Sequence, residues 1–260
     1  MGPTRAIFKL VCFALVFVIV VPLQSLILCL TRGPVSYVVP QIFHKALCLI
    51  FQIRMEVIGP RPDPRRQTLL VSNHLSYLDI PVIGSVIRAS FVAKQDVSGW
   101  PVFGFLSKLQ QTLFIGRERG NAKTAKSSLE SALEAGKSLI LFPEGTSSDG
   151  QGVFPFKSSL FALAYQRPGL SVQPFCLIVK TVDGHSVQTQ EDRDHYAWHV
   201  HMEMDLGPHL WRFAKGRGAH IQLVFMPKVM AQDFEDRKML AQACYDQILK
   251  TVLTHQKETP

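Results

Sequence analysis

Twice in this chain a short run of apolar, β-prone residues ends abruptly in polar, reactive ones. Thr68-Leu69-Leu70-Val71-Ser72 leads into Asn73-His74-Leu75-Ser76-Tyr77-Leu78-Asp79, and Ser138-Leu139-Ile140-Leu141 leads into Phe142-Pro143-Glu144-Gly145-Thr146. Buried strands that stop at polar residues are how α/β sheets present a site at their carboxyl edge. The spacing from His74 to Asp79 narrows the choice further. Five residues along an α-helix set two side chains about 140° apart, and along a strand they fall on opposite faces. Neither element lets the pair meet. A strand-to-helix turn has to bring them together, with Asp79 near a helix start where the dipole favours its charge. An Asp that holds and charges a His makes that His a general base.

These motifs carry a resemblance. The sequence resembles the lysophosphatidate (1-acylglycerol-3-phosphate) acyltransferase family of glycerolipid acyltransferases, which has four ordered motifs. Asn73-His74 through Asp79 matches the first, a His and an Asp separated by four residues. Phe114-Ile115-Gly116-Arg117 stands where the second ends in Arg, Phe142 to Thr146 matches the third, and Val172-Gln173-Pro174-Phe175 stands at the fourth. Lys94, Pro101 and Gly104 also fall where the family tends to have them, and the likeness runs from about Arg54 to Pro227. It implies an O-acyltransferase with His74 and Asp79 as catalytic pair and Glu144, Gly145 and Thr146 in an acceptor-binding loop beside Asn73. The chain departs from the pattern twice: Gly116 replaces the usual Asp or Asn before Arg117, and Ser147 follows Thr146 where Arg is common.

The residues themselves agree with such chemistry. There is no Gly-x-Ser-x-Gly elbow, since Gly184-His185-Ser186-Val187-Gln188 fails at its last position. A His–Asp pair without a protein nucleophile has to activate a hydroxyl that the substrate brings. Direct transfer follows, His74 taking the proton of a lysolipid hydroxyl as it attacks an acyl thioester of coenzyme A or acyl carrier protein. Arg117 and Lys157 are candidates for phosphate contacts, Arg through its bidentate fork. Lysophosphatidate is the expected acceptor, and a phosphate-free lysolipid such as lyso-ornithine lipid is the alternative because one Arg is missing. A thioesterase using water, or a scaffold without catalysis, are the rivals from other classes. No cofactor is expected.

Residues 10–30 hold no charge and are mostly Leu, Val, Ile and Phe, enough to cross a hydrocarbon core. Pro22, Gln24 and Ser25 interrupt the run, so a bent or shallow placement is open as well. The run is too long for a signal peptide, and no small-x-small cleavage site follows. After the turn signal Thr31-Arg32-Gly33-Pro34, apolar residues from Val35 to Phe51 recur at helical spacing. Residues 1–52 therefore read as a membrane-associated helical hairpin and 53–260 as the catalytic domain. The net charge of +8 is spread along the chain. With neither zinc-finger spacing nor an RNA-binding aromatic signature, it fits an anionic membrane surface better than nucleic acid. Together with the resemblance this suggests a bacterial inner membrane with the catalytic domain on the cytoplasmic side.

Beyond the hairpin, strands are expected at 54–58, 68–72, 90–93, 112–115, 138–142, 172–180, 199–206 and 220–226. Helices are expected at 79–88, 101–110, 121–136, 157–167 and 236–253, and 183–197 reads as a mobile loop. This alternation implies an α/β fold: a layered mixed sheet with helices on both faces. The five cysteines, Cys12, Cys29, Cys48, Cys176 and Cys244, have no paired spacing and read as small buried hydrophobes. His199, His201, Glu203 and Asp205 would share one face of the 199–206 strand. A half-buried strand gives that pattern without a ligand, so no metal site is expected.

Overall fold

The computed structural model describes residues 2–116 and 119–257. In chain order its elements are α1 (Gly2–Leu30), α2 (Val38–Ile50), β1 (Ile53–Ile58), β2 (Thr68–Ser72), α3 (Asp79–Val86) and β3 (Ser90–Lys94). Then come α4 (Phe103–Leu109), β4 (Leu113–Ile115), α5 (Arg119–Glu134), β5 (Leu139–Leu141), α6 (Ala162–Gln166) and β6 (Ser171–Val182). The chain continues through β7 (His185–Ser186), α7 (Gln190–Arg193), α8 (Leu206–Lys215), β8 (Ala219–Phe225), β9 (Val229–Met230) and α9 (Arg237–Lys257).

The strands form one sheet in the order β1-β8-β6-β2-β5-β3-β4. All neighbours on this path are parallel except β6 and β8, so the sheet is mixed. Strand alternation divides the core into two layers. Leu70, Ile140, Phe175 and Leu223 face one way, towards Cys48 and Phe51 of the α2 region, Val82 and Ile83 of α3, and Phe213 of α8. Leu69, Val71, Leu139 and Leu141 face the other way, towards Leu129 and Leu133 of α5 and Leu240, Cys244 and Ile248 of α9. Helices thus cover both faces, which is why the central strands are apolar throughout.

The contact of α2 with α3 is close enough that a side chain at Gly84 would run into the His44 ring. Helix α1 is long and apolar enough to cross a membrane. It nevertheless lies along the protein. Lys9 donates to the Gly216 carbonyl at 2.9 Å, Phe13 meets Phe43, and the Gln24 amide donates to Ser36 and Leu109 carbonyls. Its outer face, which includes Phe8, Val11, Leu15, Val18 and Ile19, is exposed.

Three expectations need correction. Residues 199–206 are no strand. The Trp198 indole donates to the Met204 carbonyl and closes a loop, no neighbouring strand pairs with it, and α8 begins at Leu206. The alternation of His199 to Asp205 therefore had no sheet to serve. The helix expected at 157–167 divides into a 3₁₀ turn, Ser158–Phe161, and α6. Residues 183–197 fold into the β7 hairpin arm and α7, the latter closed by a Thr189–Asp192 capping box. Of the cysteines, Cys48, Cys176 and Cys244 are buried, whereas Cys29 is exposed on α1.

Candidate functional site

Strands β2 and β5 are paired in parallel, so the segments leaving their carboxyl ends emerge side by side. One carries His74, the other Glu144. The chain turns sharply after His74 and enters α3 at Asp79, whose carboxylate is wholly buried. Its Oδ2 accepts from His74 Nδ1 at 2.8 Å and from the backbone amides of Leu75 at 2.7 Å and Ser76 at 3.0 Å. The two amides explain the turn: they wrap the loop around the carboxylate, so holding the His and closing the turn are one event. With its Nδ1–H donated in a hydrogen bond to Asp79, the imidazole keeps a basic lone pair on Nε2. The ring stacks on Phe142, centroids 4.1 Å apart, and remains partly open to solvent.

Glu144 supports the same loop from behind. Its Oε1 accepts from the His74 backbone amide and its Oε2 from the Phe154 amide, both at 2.7 Å. Burial pushes this carboxyl up to about 8, against the downward pull of those two amides, and nearby Asp79 adds to the rise. Gly145 follows with φ of +71°, and a Cβ there would lie 2.5 Å from Lys157 Nζ. Glycine takes that left-handed backbone without strain and leaves room for the Lys157 ammonium beside it. Thr146 is half-buried in the same turn. Ser147 Oγ donates to the Trp198 carbonyl at 2.6 Å, and the Ser148 amide donates to the His74 carbonyl at 2.8 Å.

The sequence-derived site residues thus fall into three groups. His74, Asp79, Glu144, Gly145, Thr146 and Lys157 come together at one end of the sheet. Asn73 stands behind them: its amide donates to the Leu177 carbonyl and accepts from the Leu177 amide, which ties the end of β2 to β6. Arg117 lies outside the described residues. Sequence reasoning missed the 187–198 segment, which sends the Tyr196 hydroxyl to Asp79 Oδ1 at 3.0 Å. The Thr-x-x-Asp of its capping box was the available signal. Among the described residues no group of three or more His, Cys, Asp or Glu is placed to hold a metal ion.

Beside the site an apolar cavity of about 170 Å³ opens between α1, α2, α3 and α4, lined by Phe13, Phe43, Tyr77, Ile80, Trp100 and Leu106 among others. It runs along α4 from Phe103, in ring contact with Tyr77, to Gln110, hydrogen-bonded to His44 at 2.8 Å. Burial lowers His44 to about 4, so it is neutral there.

Residues 54–178 match the family model described as Acyltransferase. A lyso-ornithine lipid O-acyltransferase of Brucella abortus is 33% identical over 235 residues, covering 88% of this chain and 86% of that one. A 1-acyl-sn-glycerol-3-phosphate acyltransferase of Neisseria gonorrhoeae is 29% identical over 75% of this chain and 73% of its own length. Among solved structures, the 1-acyl-sn-glycerophosphate acyltransferase PlsC of Thermotoga maritima superposes with a TM-score of 0.68 over 98% of both chains at 19% identity. That likeness concerns the fold, a central sheet with surrounding helices and an apolar helix before it.

Proposed function

This chain belongs to the acyltransferase family that includes lyso-ornithine lipid and lysophosphatidate acyltransferases, and from that premise we propose that it esterifies the free hydroxyl of a membrane lysolipid, lyso-ornithine lipid first among them, with an acyl group from a thioester of coenzyme A or acyl carrier protein. The observation that carries the reaction type is the His74–Asp79 pair, with no Ser or Cys side chain bonded to the imidazole among the described residues. Nε2 of His74 takes the acceptor's hydroxyl proton as the oxygen attacks the thioester carbonyl. Asp79 holds the tautomer and stabilises the imidazolium. Collapse of the tetrahedral adduct breaks the C–S bond, and the imidazolium proton passes to the departing thiolate. The apolar cavity along α4 suits an acyl chain, since almost everything lining it is hydrocarbon.

The choice of acceptor rests on the turn after Gly145. Where the family pattern commonly has Arg, Ser147 is bonded to the Trp198 carbonyl. That removes a charge-assisted contact worth about 1.5–3 kcal/mol to a phosphate. The ammonium of Lys157 over Gly145 suits a monoanionic carboxylate such as that of ornithine. The wider coverage of the Brucella relative supports the same reading. Lysophosphatidate is the second reading, supported by the Neisseria relative and by Arg117 in the second motif. We further propose that α1 lies in one leaflet alongside the domain, its exposed apolar face among acyl chains.

Initial rates with a labelled acyl thioester and each lysolipid in mixed micelles decide the matter. Faster acceptor-dependent transfer to lyso-ornithine lipid, insensitive to Arg117→Ala, is the expected result. Preference for lysophosphatidate with a sharp loss in Arg117→Ala reverses the assignment, and free fatty acid alone would mean hydrolysis.

A further inference from the structure

The buried carboxylate of Asp79 is held by more than the loop that carries it. Oδ2 takes three bonds from its own segment, those of His74, Leu75 and Ser76. Among the described residues Oδ1 takes one, from the Tyr196 hydroxyl at 3.0 Å, 117 positions further along the chain. Tyr196 lies beyond residue 178, where the match to the acyltransferase model stops. We propose that Tyr196 is a positioning residue of the reaction: its hydroxyl fixes the plane of the Asp79 carboxylate and shares its charge, and thereby sets the basicity of His74. This rests on the reading of His74 as the base.

The surroundings are built for that contact. The Tyr196 side chain has no exposed surface, and its ring stands edge-on to Phe213. Its segment is tied to the His74 loop on either side: the Trp198 amide donates to the Leu75 carbonyl at 2.9 Å, and the Trp198 carbonyl accepts from Ser147. His209 braces the same segment, bridging the Asp194 carbonyl and the Tyr77 hydroxyl. Burial and the adjacent Asp79 charge raise Tyr196 well above the ordinary phenol range, so it is a permanent donor. The groups facing this pair are His74 and Glu144 from the two site loops, Tyr77, and Cys48 of α2. None but Tyr196 bonds Oδ1.

A donor on Oδ1 withdraws charge from the carboxylate and so lowers the proton affinity of the His it supports. Removing the hydroxyl should therefore change how the rate depends on pH. The test is done on the full chain in micelles, with rates followed across pH. Tyr196→Phe keeps the ring against Phe213; it should lower kcat about tenfold with KM little changed and move the acidic limb of the pH–rate profile to higher pH. Site-specific 3-fluorotyrosine at position 196, a stronger donor of nearly the same shape, should move that limb the opposite way. A merely structural tyrosine would give no opposed shifts. An unchanged pH profile and rate in both variants, while His74→Ala is inactive, overturn the role of Tyr196 alone. An active His74→Ala overturns the base itself, and this role with it.

Discussion

Asp79 does two jobs with one oxygen, closing the turn and holding the imidazole, and substitution separates them. Asp79→Asn keeps the size but offers an amide that cannot serve three donors as a carboxylate does. Turnover should fall by about 10⁴-fold, as loss of tautomer control does in triads, while circular dichroism stays that of the wild type. Near-normal turnover would remove Asp79 from the mechanism. Glu144 gives a pH test. Its carboxyl is raised from 4.5 to about 8 in the folded protein. The folded state therefore binds the proton more tightly than the unfolded state, and stability contributed by this group is full below 4.5 and is lost as pH rises towards 8. Glu144→Gln removes the titration but leaves one backbone amide poorly served. The variant should be less stable at pH 5 by about 1–3 kcal/mol, and the gap should narrow by pH 8 in thermal melts. A gap that widens with pH contradicts the assignment. At this scale the sequence was legible where partners are close in the chain. His74 and Asp79 announce each other across five positions, whereas Tyr196 bonds Asp79 from so far away that no spacing encodes it.

Elements were legible where periodicity had a partner to pack on. Strands β2, β5 and β6 follow the apolar runs because both faces are covered, and α9 follows its stripe because β6 lies beneath it. The 199–206 stretch alternates just as regularly, yet it pairs with no strand and the Trp198–Met204 bond closes it into a loop. Helix α2 shows the reverse. It reads as an interfacial helix, and it also supplies Phe43 and Cys48 to the core, with Phe51 directly after it. Deleting residues 10–51 should therefore do more than detach the protein from membranes. It uncovers the α3 face and costs about 2 kcal/mol per large buried side chain lost. Aggregated protein in pelleting assays is the expected outcome; a monodisperse, active remainder would show that the hairpin is only an anchor.

At the scale of the whole molecule, the exposed apolar residues gather around the hairpin. Val18 and Ile19 of α1 are each 68% exposed, and Val102 and Phe105 at α4 flank the cavity and are nearly half exposed. A bilayer covering this side would place the cavity next to the acyl chains it is proposed to bind. Val18→Glu with Phe105→Glu should leave melting unchanged, weaken flotation with anionic vesicles, and slow turnover of vesicle-embedded acceptor. Activity on the same acceptor in detergent micelles should be spared. Equal losses in both settings would assign these side chains to packing. The docking of α1 also has a consequence in time. Lys9 reaches its acceptor, the Gly216 carbonyl, across 207 positions of sequence. A ribosome adding about 5–20 residues per second needs roughly 10–40 s to make that stretch. For that interval α1 is already outside the tunnel and its seat on α8 does not yet exist. Until then α2, through Phe13 and Phe43, can cover only part of its apolar surface, and in the proposed leaflet placement the membrane would hold the rest during birth before it becomes the workplace of the finished enzyme.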